Sequence, residues 1–491
     1  MPAIIVNTAD ELFLIFPRTT PVIPKSQEYN TMSYQSINPF DNKLAKYFDE
    51  ITDQELEKKL AQATACFATW KRTTYAERAK IVEKAAKLLH ERTEHFAHIM
   101  TLEMGKRISE AKGEVEFSSQ ILSYYARNAE RFLADVKLHP SQGEGHMESS
   151  PIGVIFCVEP WNFPYYQLAR VAGPHLMAGN TIVVKHAGCV PQCAIAFEQL
   201  WLDAGAPPGL YTNLLISHRQ SNQIIDDPRI KGVALTGSTE DGRSIAAAAG
   251  KNLKPSSMEL GGCDAFIVLE DADIEHSVKW ALWGRMYNCG QTCCAAKRFI
   301  VVEAVADKFL AAFKVALGAL KAGDPTDEKT TMGPLSTEAA LVQLLAQVDV
   351  AVKHGAKIEL GGKRIDRPGA FMQPTILTQV EPRNPAYRDE FFGPVAMFFR
   401  VKDEDAAIAL ANDSDFGLGG SVFTKDIARG KRVASRVDTG MMFINSISWS
   451  DAELPFGGIK NSGYGRELGD MGIQAFVNKK LVRYLAAEAP V

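Results

Sequence analysis

Residues 153–186 read GVIFCVEPWNFPYYQLARVAGPHLMAGNTIVVKH, and the class of fold can be inferred outward from this stretch. GVIFCV and TIVVKH are short β-rich runs, and YYQLARVAGPHLMAG between them reads as a helix. A second helical stretch, VPQCAIAFEQLWLDAG at 190–205, precedes a third β-rich run, GVALTG at 232–237. Repeated strand–helix–strand units build a parallel sheet covered by helices, which predicts an α/β fold. Because such sheets bind ligands at the carboxyl ends of their strands, we expect functional loops after these three runs.

The flanking sequence extends this unit in both directions. Residues 53–134 read as long helices, with apolar residues at three- and four-residue spacing. A second α/β set starts near residue 262 with DAFIVLE, RFIVVE and the helical stretch AVADKFLAAFKVALGAL. No low-complexity linker separates the two sets, so we expect them to pack closely. The absence of a short-period repeat argues against solenoids and propellers.

Composition limits the classes of partner. The chain has 491 residues, 46% of them hydrophobic and 23% charged, and a net charge of −4, which gives no electrostatic reason to bind nucleic acid or an anionic membrane. The sequence predicts no membrane span and no signal peptide, since no apolar run is long enough. The eight scattered cysteines favour a reducing, cytoplasmic location. CVPQC at 189–193 lacks a second ligand pair, so we expect no metal site.

The loop after GVAL reads GSTEDG, residues 237–242, and leads into the helix-like RSIAAAAG. Glycine there lets backbone N–H groups approach a phosphate, and the helix N-terminus adds about half a positive charge. Ser238 followed by Asp241 also resembles a capping box, which is an equally good interpretation of this stretch by itself.

Three residues are candidates for covalent catalysis. Asn162 in EPWNFP (159–164) lies in a rigid turn, where its amide can donate to a developing oxyanion or satisfy the turn backbone. Glu259 in MELGG (258–262) has apolar neighbours, so burial should raise its pKa toward that of a general base; a salt-bridged surface glutamate is the alternative. Cys293 in GQTCC (290–294) is either a nucleophile or an inert buried thiol.

Taken together, six motifs carry a family resemblance: EPWNFP, LTGSTEDG, MELGG, GQTCC, EFFGPV (390–395) and PFGGIKNSGYGRE (455–467). Their order and spacing resemble the NAD(P)-dependent aldehyde dehydrogenase superfamily from about Ser33 to near the C-terminus. KHAG after the TIVV run and CAAKR in the nucleophile region are most similar to the bacterial succinate-semialdehyde dehydrogenase type. The resemblance implies a Rossmann-like cofactor domain, an α/β catalytic domain and a β-arm for oligomerisation.

The resemblance also implies roles for individual residues. Cys293 matches the nucleophile, Asn162 and the Cys293 backbone N–H the oxyanion donors, and Glu259 the general base. The implied reaction forms a thiohemiacetal, transfers hydride to NAD or NADP, and hydrolyses a thioester to the carboxylic acid. The positions that line the cofactor in the family are matched here by Trp161, Lys185, Gly188, Gly237, Ser238, Leu260, Glu390 and Phe392.

Substrate choice depends on Arg170, eight residues after Asn162. The resemblance implies an arginine at the mouth of the aldehyde tunnel, where a guanidinium pairs with a distal carboxylate; a helix-surface salt bridge is the alternative. Tyr287 stands where some relatives have a second arginine, so help is expected from Tyr287, Ser448 and Ser450, with Ser446 in the same loop. Succinate semialdehyde is the expected substrate. Glutarate semialdehyde and broad-range aliphatic aldehydes remain alternatives.

Cofactor choice depends on Gly188, because NAD-preferring relatives often carry a glutamate there that bonds the ribose hydroxyls. Without that carboxylate a 2′-phosphate is not repelled, so NADP should be tolerated and both cofactors stay open.

The expected domains are 32–131 with 152–261 for the dinucleotide, 262–455 for catalysis, and 132–151 with 468–491 as the oligomerisation arm of a homodimer or homotetramer. Residues 1–31 are interpreted as a flexible extension. A CoA-acylating relative is less favoured because Glu259 favours hydrolysis, and a non-catalytic structural protein is less favoured because Cys293, Glu259 and Asn162 are all present.

Overall fold

A computed structural model describes residues 34–488. The prediction for residues 1–31 and the last three residues of the expected arm lie outside this range. Within it the strands are β1 Tyr34–Asn38, β2 Lys43–Phe48, β3 Val136–Leu138, β4 Glu144–Pro151, β5 Val154–Glu159, β6 Thr181–His186, β7 Tyr211–Asn213, β8 Ile230–Thr236, β9 Ser256–Glu259, β10 Asp264–Val268, β11 Ala296–Val302, β12 Lys357–Leu360, β13 Thr375–Thr378, β14 Val395–Val401, β15 Phe416–Gly417, β16 Gly420–Phe423, β17 Phe443–Ile444, β18 Ile459–Lys460, β19 Gly463–Tyr464 and β20 Val477–Tyr484.

The helices of the same range are α1 Asp53–Trp70, α2 Tyr75–Glu91, α3 Thr93–Met104, α4 Ile108–Phe132, α5 Pro164–Met177, α6 Pro191–Ala204, α7 His218–Asp226, α8 Thr239–Lys251, α9 Ile274–Met286, α10 Glu303–Gly318, α11 Glu338–Lys353, α12 Glu404–Asn412, α13 Ile427–Ala434 and α14 Gly469–Gly472. Short 3₁₀ turns occupy Tyr287–Gly290 and Pro385–Tyr387. Within residues 34–488, no helix is both long enough and apolar enough to cross a lipid bilayer.

The first large sheet has the strand order β19-β9-β8-β5-β6-β7. Strands β5 to β9 run parallel, and β19 pairs antiparallel with β9. Residues 154–157 and 181–184 are buried, as expected for strands covered by helices on both faces. The parallel strand–helix–strand pattern predicted from residues 153–186 is confirmed, and the carboxyl ends of β5, β6, β8 and β9 lie along one edge.

The second large sheet has the order β12-β13-β14-β11-β10-β16-β17 and is parallel except for β12. Its strands β10 and β11 contain the predicted runs DAFIVLE and RFIVVE, and α10 follows β11 as predicted. The loop between α9 and β11 contains GQTCC. The candidate nucleophile therefore lies directly before β11, a buried strand in the interior of this sheet.

A third sheet, β20-β4-β3, is antiparallel. The expected arm, residues 132–151 with 468–491, contains these strands, and β20 pairs with β4 of the same chain from Val477 with Pro151 to Tyr484 with Glu144. β20 is an edge strand, and its outer side has no strand partner among the described residues.

Local sequence explains the first helices. Thr52 and Thr74 each form a capping box with the glutamate three residues later, which satisfies free N–H groups at the starts of α1 and α2. The long helical run after Thr74 is interrupted at Arg92, which separates α2 from α3. Gly105 ends α3 in the left-handed conformation (φ 74°), where a glycine avoids the steric cost of a Cβ.

Helix α5 starts differently. Pro164 occupies its first turn, and its N-cap residue Phe163 makes no side-chain cap. The missing acceptor comes from a distant helix: the Glu114 carboxylate on α4 accepts hydrogen bonds from the backbone N–H groups of Tyr165 (2.9 Å) and Tyr166 (3.1 Å). A tertiary contact therefore sets the entry of the chain from the EPWNFP loop into α5.

Candidate active site

Cys293 lies at a narrow cavity of about 40 Å³. The cavity is lined by Gly113, Glu114, Phe117, Phe163, Tyr166, Gln167, Tyr287, Thr292, Cys293, Cys294, Trp449, Ser450 and Phe456. Cys293 is partly buried, and all eight cysteines of the chain are free. A partly accessible thiol in a mostly apolar cavity suits a nucleophile, because such a cavity keeps bulk water away from the reaction.

Glu259 ends β9 beside this thiol. The sequence predicted a buried carboxylate, and Glu259 is buried; burial, followed by its interaction with Cys293, raises its pKa well above the usual range. The two following glycines allow close approach: a Cβ at Gly261 would clash with the Glu390 carboxylate, and one at Gly262 would meet the Cys293 carbonyl oxygen at 2.6 Å. The MELGG motif therefore brings the candidate base against the nucleophile loop.

Asn162 is buried next to the same loop. Its side-chain Nδ2 donates to the Gln291 carbonyl at 3.2 Å, and its own carbonyl accepts from Asn288 Nδ2 at 2.8 Å. These bonds join the EPWNFP loop to the turn that precedes Cys293. An amide held in this way is a preorganised donor for an oxyanion formed at Cys293.

The turn before the nucleophile is strained. Asn288, Cys289 and Gly290 all have positive φ (53°, 53° and 77°), although only glycine adopts such angles freely. At Gly290 a Cβ would clash with the Gly393 carbonyl oxygen. Arg285 donates to the Gly290 carbonyl at 2.6 Å and so helps to hold the turn. Packing and buried hydrogen bonds thus fix the position of the thiol.

The charges around Cys293 have opposing effects. Contact with the Cys294 thiol and burial raise the pKa of Cys293, whereas Arg170 and Lys297 lower it, and the net direction is upward. Lys297 Nζ donates to the Cys293 carbonyl at 2.6 Å and pairs with Glu390 at 2.9 Å. The resting thiol is therefore protonated near neutral pH, and the adjacent Glu259 is the candidate acceptor of its proton.

The structure corrects the predicted position of Arg170. Its guanidinium is fully buried, forms an ion pair with Glu467, and lies 3.6 Å from Glu259. It therefore does not stand at an open tunnel mouth. It lies behind the cavity wall, 4.9 Å from the ring centroid of Tyr166 and 5.2 Å from that of Phe456, both of which line the cavity. The predicted helix α5 is correct, but the face that carries Arg170 is covered by the motif that contains Glu467.

Three carboxyl groups surround this single guanidinium. Glu159, Glu259 and Glu467 are all buried, and burial is the first cause that raises the pKa of each. One cation cannot stabilise three buried anions, so at least one of these carboxyl groups holds a proton at neutral pH. The candidate base is therefore part of a proton-sharing cluster.

A pair of hydrogen-bonded hydroxyls connects Arg170 with the cavity. Its Nη1 donates to the Tyr166 hydroxyl at 3.1 Å, and that hydroxyl is 2.7 Å from Ser450 Oγ. Tyr166 and Ser450 line the cavity, as does Tyr287. Ser448, predicted with them, is instead buried near Gly419 and is not among the lining residues. Ser448 Oγ and an Asp264 carboxylate oxygen both lie against the position that a Cβ on Gly419 would occupy, so Ser448 packs beside that buried carboxylate and not in the cavity.

Ser446 lies in a wider outer groove of about 550 Å³. This groove shares Trp449 and Ser450 with the cavity beside Cys293. The two spaces thus meet at Trp449, whose ring lies 4.6 Å from Trp283 and 4.8 Å from Tyr287.

The candidate dinucleotide residues lie at the carboxyl ends of the parallel strands. Ser238 caps α8, because its Oγ accepts from the Asp241 backbone N–H at 3.1 Å, so the capping interpretation is confirmed. A Cβ at Gly237 would have no atom closer than 3.6 Å, which leaves the backbone there approachable from the sheet edge. The start of α8 therefore has the open backbone and the helix dipole that suit a phosphate.

Lys185 is the penultimate residue of β6, and burial lowers its pKa. Its ammonium lies 5.8 Å from the ring centroid of Tyr34, whose hydroxyl bonds the backbone of Ile216. A Cβ at Gly188 would meet only Tyr34 Cδ1, at 4.0 Å. Space next to a partly buried cation, with no carboxylate at residue 188, fits the ribose of either cofactor.

The remaining candidate residues lie nearer to Cys293. Trp161 and Phe392 pack edge to face at 5.8 Å, and Leu260 is buried against Gly242 at the start of α8. Glu390 accepts from the Gly262 backbone N–H at 3.1 Å. Leu260 thus connects the start of α8 with the MELGG loop, and Glu390 connects that loop with Lys297 beside Cys293, an arrangement whose side chains fit a nicotinamide dinucleotide.

Sequence reasoning missed several residues of this site. Tyr166 lies in the predicted helix four residues before Arg170, a spacing that puts both on one face and could have identified it. Glu467 lies within the quoted PFGGIKNSGYGRE motif without an assigned role. Tyr34 and Glu114 lie far from every motif, and no signal in the sequence marks them.

Comparison with known proteins agrees with this geometry. The sequence profile of the aldehyde dehydrogenase family matches residues 25–482. A succinate-semialdehyde dehydrogenase [NADP(+)] of Deinococcus radiodurans is 46% identical over 94% of this chain and 96% of its own length. A probable succinate-semialdehyde dehydrogenase [NADP(+)] of Synechocystis is 44% identical over 92% of this chain and 99% of its own.

Two solved structures are also similar to this chain over most of its length. The succinic semialdehyde dehydrogenase of Streptococcus pyogenes, solved with NADP+, superposes with a TM-score of 0.91 at 44% identity, covering 92% of this chain and 100% of that chain. The structure of Gox0499 has a TM-score of 0.92 at 51% identity over 92% of this chain and 100% of that chain. A match of this extent in sequence and in structure shows that the chain belongs to the aldehyde dehydrogenase family.

Proposed function

We propose that this enzyme oxidises succinate semialdehyde to succinate with NADP. The observation that carries the proposal is the cavity itself. Cys293, with the Glu259 carboxylate beside it, lines a narrow space together with Tyr166 and Ser450, whose hydroxyls form a hydrogen-bonded pair with the Arg170 cation behind them. Relatives of 43–46% identity are named for this substrate and this cofactor, which supports the same assignment.

In the first half of the reaction, Glu259 takes the Cys293 proton and the thiolate adds to the aldehyde carbon. The oxyanion that forms is held by the Asn162 amide and the Cys293 backbone N–H, donors fixed by the hydrogen bonds of the two loops. The nicotinamide supplies the hydride acceptor when it is bound, and a Cys293 thioester remains.

In the second half, Glu259 deprotonates a water that attacks the thioester. Burial raises the pKa of this carboxyl group, which makes its carboxylate a stronger base than an exposed glutamate. Before this step the proton that Glu259 took from Cys293 has to leave, and the neighbouring Glu467 carboxyl group of the same buried cluster is its candidate acceptor. Arg170 keeps its charge throughout and stabilises the carboxylates. Hydrolysis then releases the acid and restores the thiol.

The distal carboxylate of the substrate is recognised by hydroxyls. Arg170 donates to the Tyr166 hydroxyl, which leaves the Tyr166–Ser450 pair with its protons directed away from the guanidinium. Hydrogen bonds to a charged acceptor are stronger than those to neutral ones. The buried cation adds long-range attraction for an anion in the cavity.

The cofactor assignment is supported by residues 185–188. Gly188 offers no carboxylate to repel a 2′-phosphate, and Lys185 adds positive charge. A Streptococcus pyogenes relative was solved with NADP+.

We also propose that residues 32–131 with 152–261 form the dinucleotide-binding domain and that residues 262–455 supply the nucleophile, in line with the two large sheets. The outer edge of β20, which no other strand of residues 34–488 covers, supports an arm that pairs with a second copy, because an exposed edge strand otherwise invites aggregation. The eight free thiols favour the cytoplasm.

The test compares kcat/KM for succinate semialdehyde and butanal, each with NADP and NAD. Butanal has the same four-carbon chain without the carboxylate. We expect succinate semialdehyde with NADP to be the best pair. Preference for butanal would overturn the substrate assignment, and preference for NAD would overturn the cofactor assignment.

A further inference from the structure

Lys106 and Glu114 form an ion pair that is almost completely removed from solvent, with exposed side-chain fractions of 0% and 1%. Neither residue belongs to a motif that the sequence analysis assigned. Such a pair is weak support for stability, because desolvating two charges offsets most of their attraction. Its contacts indicate a different role.

Both members of the pair touch the catalytic loop. Lys106 Nζ donates to the Asn162 backbone carbonyl at 2.8 Å, and its ammonium lies 3.7 Å from the ring centroid of Phe163. Glu114 accepts from the backbone N–H groups of Tyr165 and Tyr166, the start of α5. The pair therefore fixes consecutive residues of the chain from Asn162 to Tyr166.

The position of the Asn162 amide follows from these bonds. The backbone carbonyl of Asn162 accepts from two donors, Lys106 Nζ and Asn288 Nδ2. The side-chain Nδ2 of Asn162 donates to the Gln291 carbonyl in the nucleophile loop. Loss of the Lys106 bond leaves only the contact from the strained turn that contains Asn288. A shift of about 1 Å at such a group is enough to lower the rate about a hundredfold.

We propose that the buried Lys106–Glu114 pair is a positioning device for the oxyanion donor, in which Lys106 holds the Asn162 backbone and Glu114 holds the first turn of α5. Lys106 touches no reacting atom, so its effect passes through Asn162. The inference rests on the proposed aldehyde oxidation, and wild-type turnover of succinate semialdehyde tests that function separately.

The first variant is Lys106→Met, which keeps the length of the side chain and removes its three donors. We expect kcat to fall about tenfold to a hundredfold while KM for NADP changes less than about threefold. The matched control is Arg78→Met. Arg78 is also a buried cation, and it donates to the Met177 carbonyl at 3.0 Å at the opposite end of α5. The Arg78→Met variant should have a lower free energy of unfolding but an unchanged kcat.

A double-mutant cycle with Asn162→Ala separates positioning from general damage. Because Lys106 acts through Asn162, Lys106→Met should lower kcat by less than about threefold once the amide is gone. If the two effects multiply, or if Lys106→Met lowers kcat no more than Arg78→Met, the proposal is overturned.

Lys106→Met leaves Glu114 without its partner and can impair folding. The variant Lys106→Met/Glu114→Gln removes both charges and keeps an acceptor for the α5 amides, so it should fold. Its kcat should remain about tenfold or more below wild type, because the bond to the Asn162 carbonyl is still absent. Wild-type kcat in this double variant would overturn the proposal.

Discussion

Tyr166→Phe removes a single oxygen from the proposed substrate pocket. The Tyr166 hydroxyl accepts from Arg170 at 3.1 Å and lies 2.7 Å from Ser450 Oγ, so its loss separates the buried cation from the serine that lines the cavity. The ring itself stays, and with it the stacking on Phe117 at 5.5 Å. The change therefore alters hydrogen bonding more than packing.

A hydrogen bond to a charged group contributes about 1.5 to 3 kcal/mol. At about 1.4 kcal/mol for each factor of ten, kcat/KM for succinate semialdehyde should fall about tenfold to a hundredfold. Butanal has no carboxylate, so its kcat/KM should change by less than about threefold. The assay is initial-rate NADPH formation with each aldehyde at saturating NADP.

Tyr165→Phe is the matched control. Tyr165 is the preceding residue of the same helix, but its ring packs on Phe96 at 5.1 Å and is not among the cavity-lining residues. This variant should keep the wild-type ratio of the two kcat/KM values. An equal loss for both aldehydes in Tyr166→Phe, or no loss for either, would refute carboxylate recognition by the hydroxyl pair.

Glu259→Gln should lower kcat about 10²- to 10⁴-fold and should also slow or abolish the rapid burst of NADPH in stopped-flow traces, because Glu259 takes the Cys293 proton before the thioester forms; an unchanged burst would show that Glu259 acts only in hydrolysis. Because burial raises the pKa of Glu259, the active carboxylate is lost as pH falls through that raised pKa, so kcat should increase from acid to alkaline pH, and a flat profile would contradict its role as base. Gly188→Glu places a carboxylate where the nearest atom to its Cβ is 4.0 Å away, and the ratio of kcat/KM for NADP over NAD should fall at least about tenfold; an unchanged ratio would mean that residue 188 does not face the ribose. Arg170→Met leaves Glu467 buried without its partner and should lower the free energy of unfolding by about 3 to 5 kcal/mol in chemical denaturation, with recovery in Arg170→Met/Glu467→Gln. Full stability of the single variant would show that the pair contributes nothing.

Much of the fold could be predicted because its signals are local. The predicted TIVVKH run coincides with β6, and the helical region predicted from residue 53 opens with α1, whose capping box consists of Thr52 and Glu55. Period-2 and period-3.6 patterns together with caps act over a few residues, so the chain itself reports them. The single helical run after Thr74 was divided at Arg92, a boundary that carries no glycine or proline.

The site was predictable only where a motif joins it. Cys293, Glu259 and Asn162 were identified by their motifs, and the structure brings their loops together. Arg170 was also named as a candidate, but the prediction of its surroundings was wrong, because nothing in the sequence near residue 170 indicates that Glu467 covers the guanidinium.

The α/β architecture and the family could be inferred from the sequence, and the candidate reactive groups could be proposed from it, because all three depend on local patterns and on motifs in register. Which groups meet became known only from the packed chain: Arg170 with Glu467, Tyr166 with Ser450, and Lys106 with the Asn162 carbonyl. The partners in the last two contacts are separated by 284 and 56 positions along the chain. Each contact depends on how whole helices and loops pack, which periodicity and spacing do not encode.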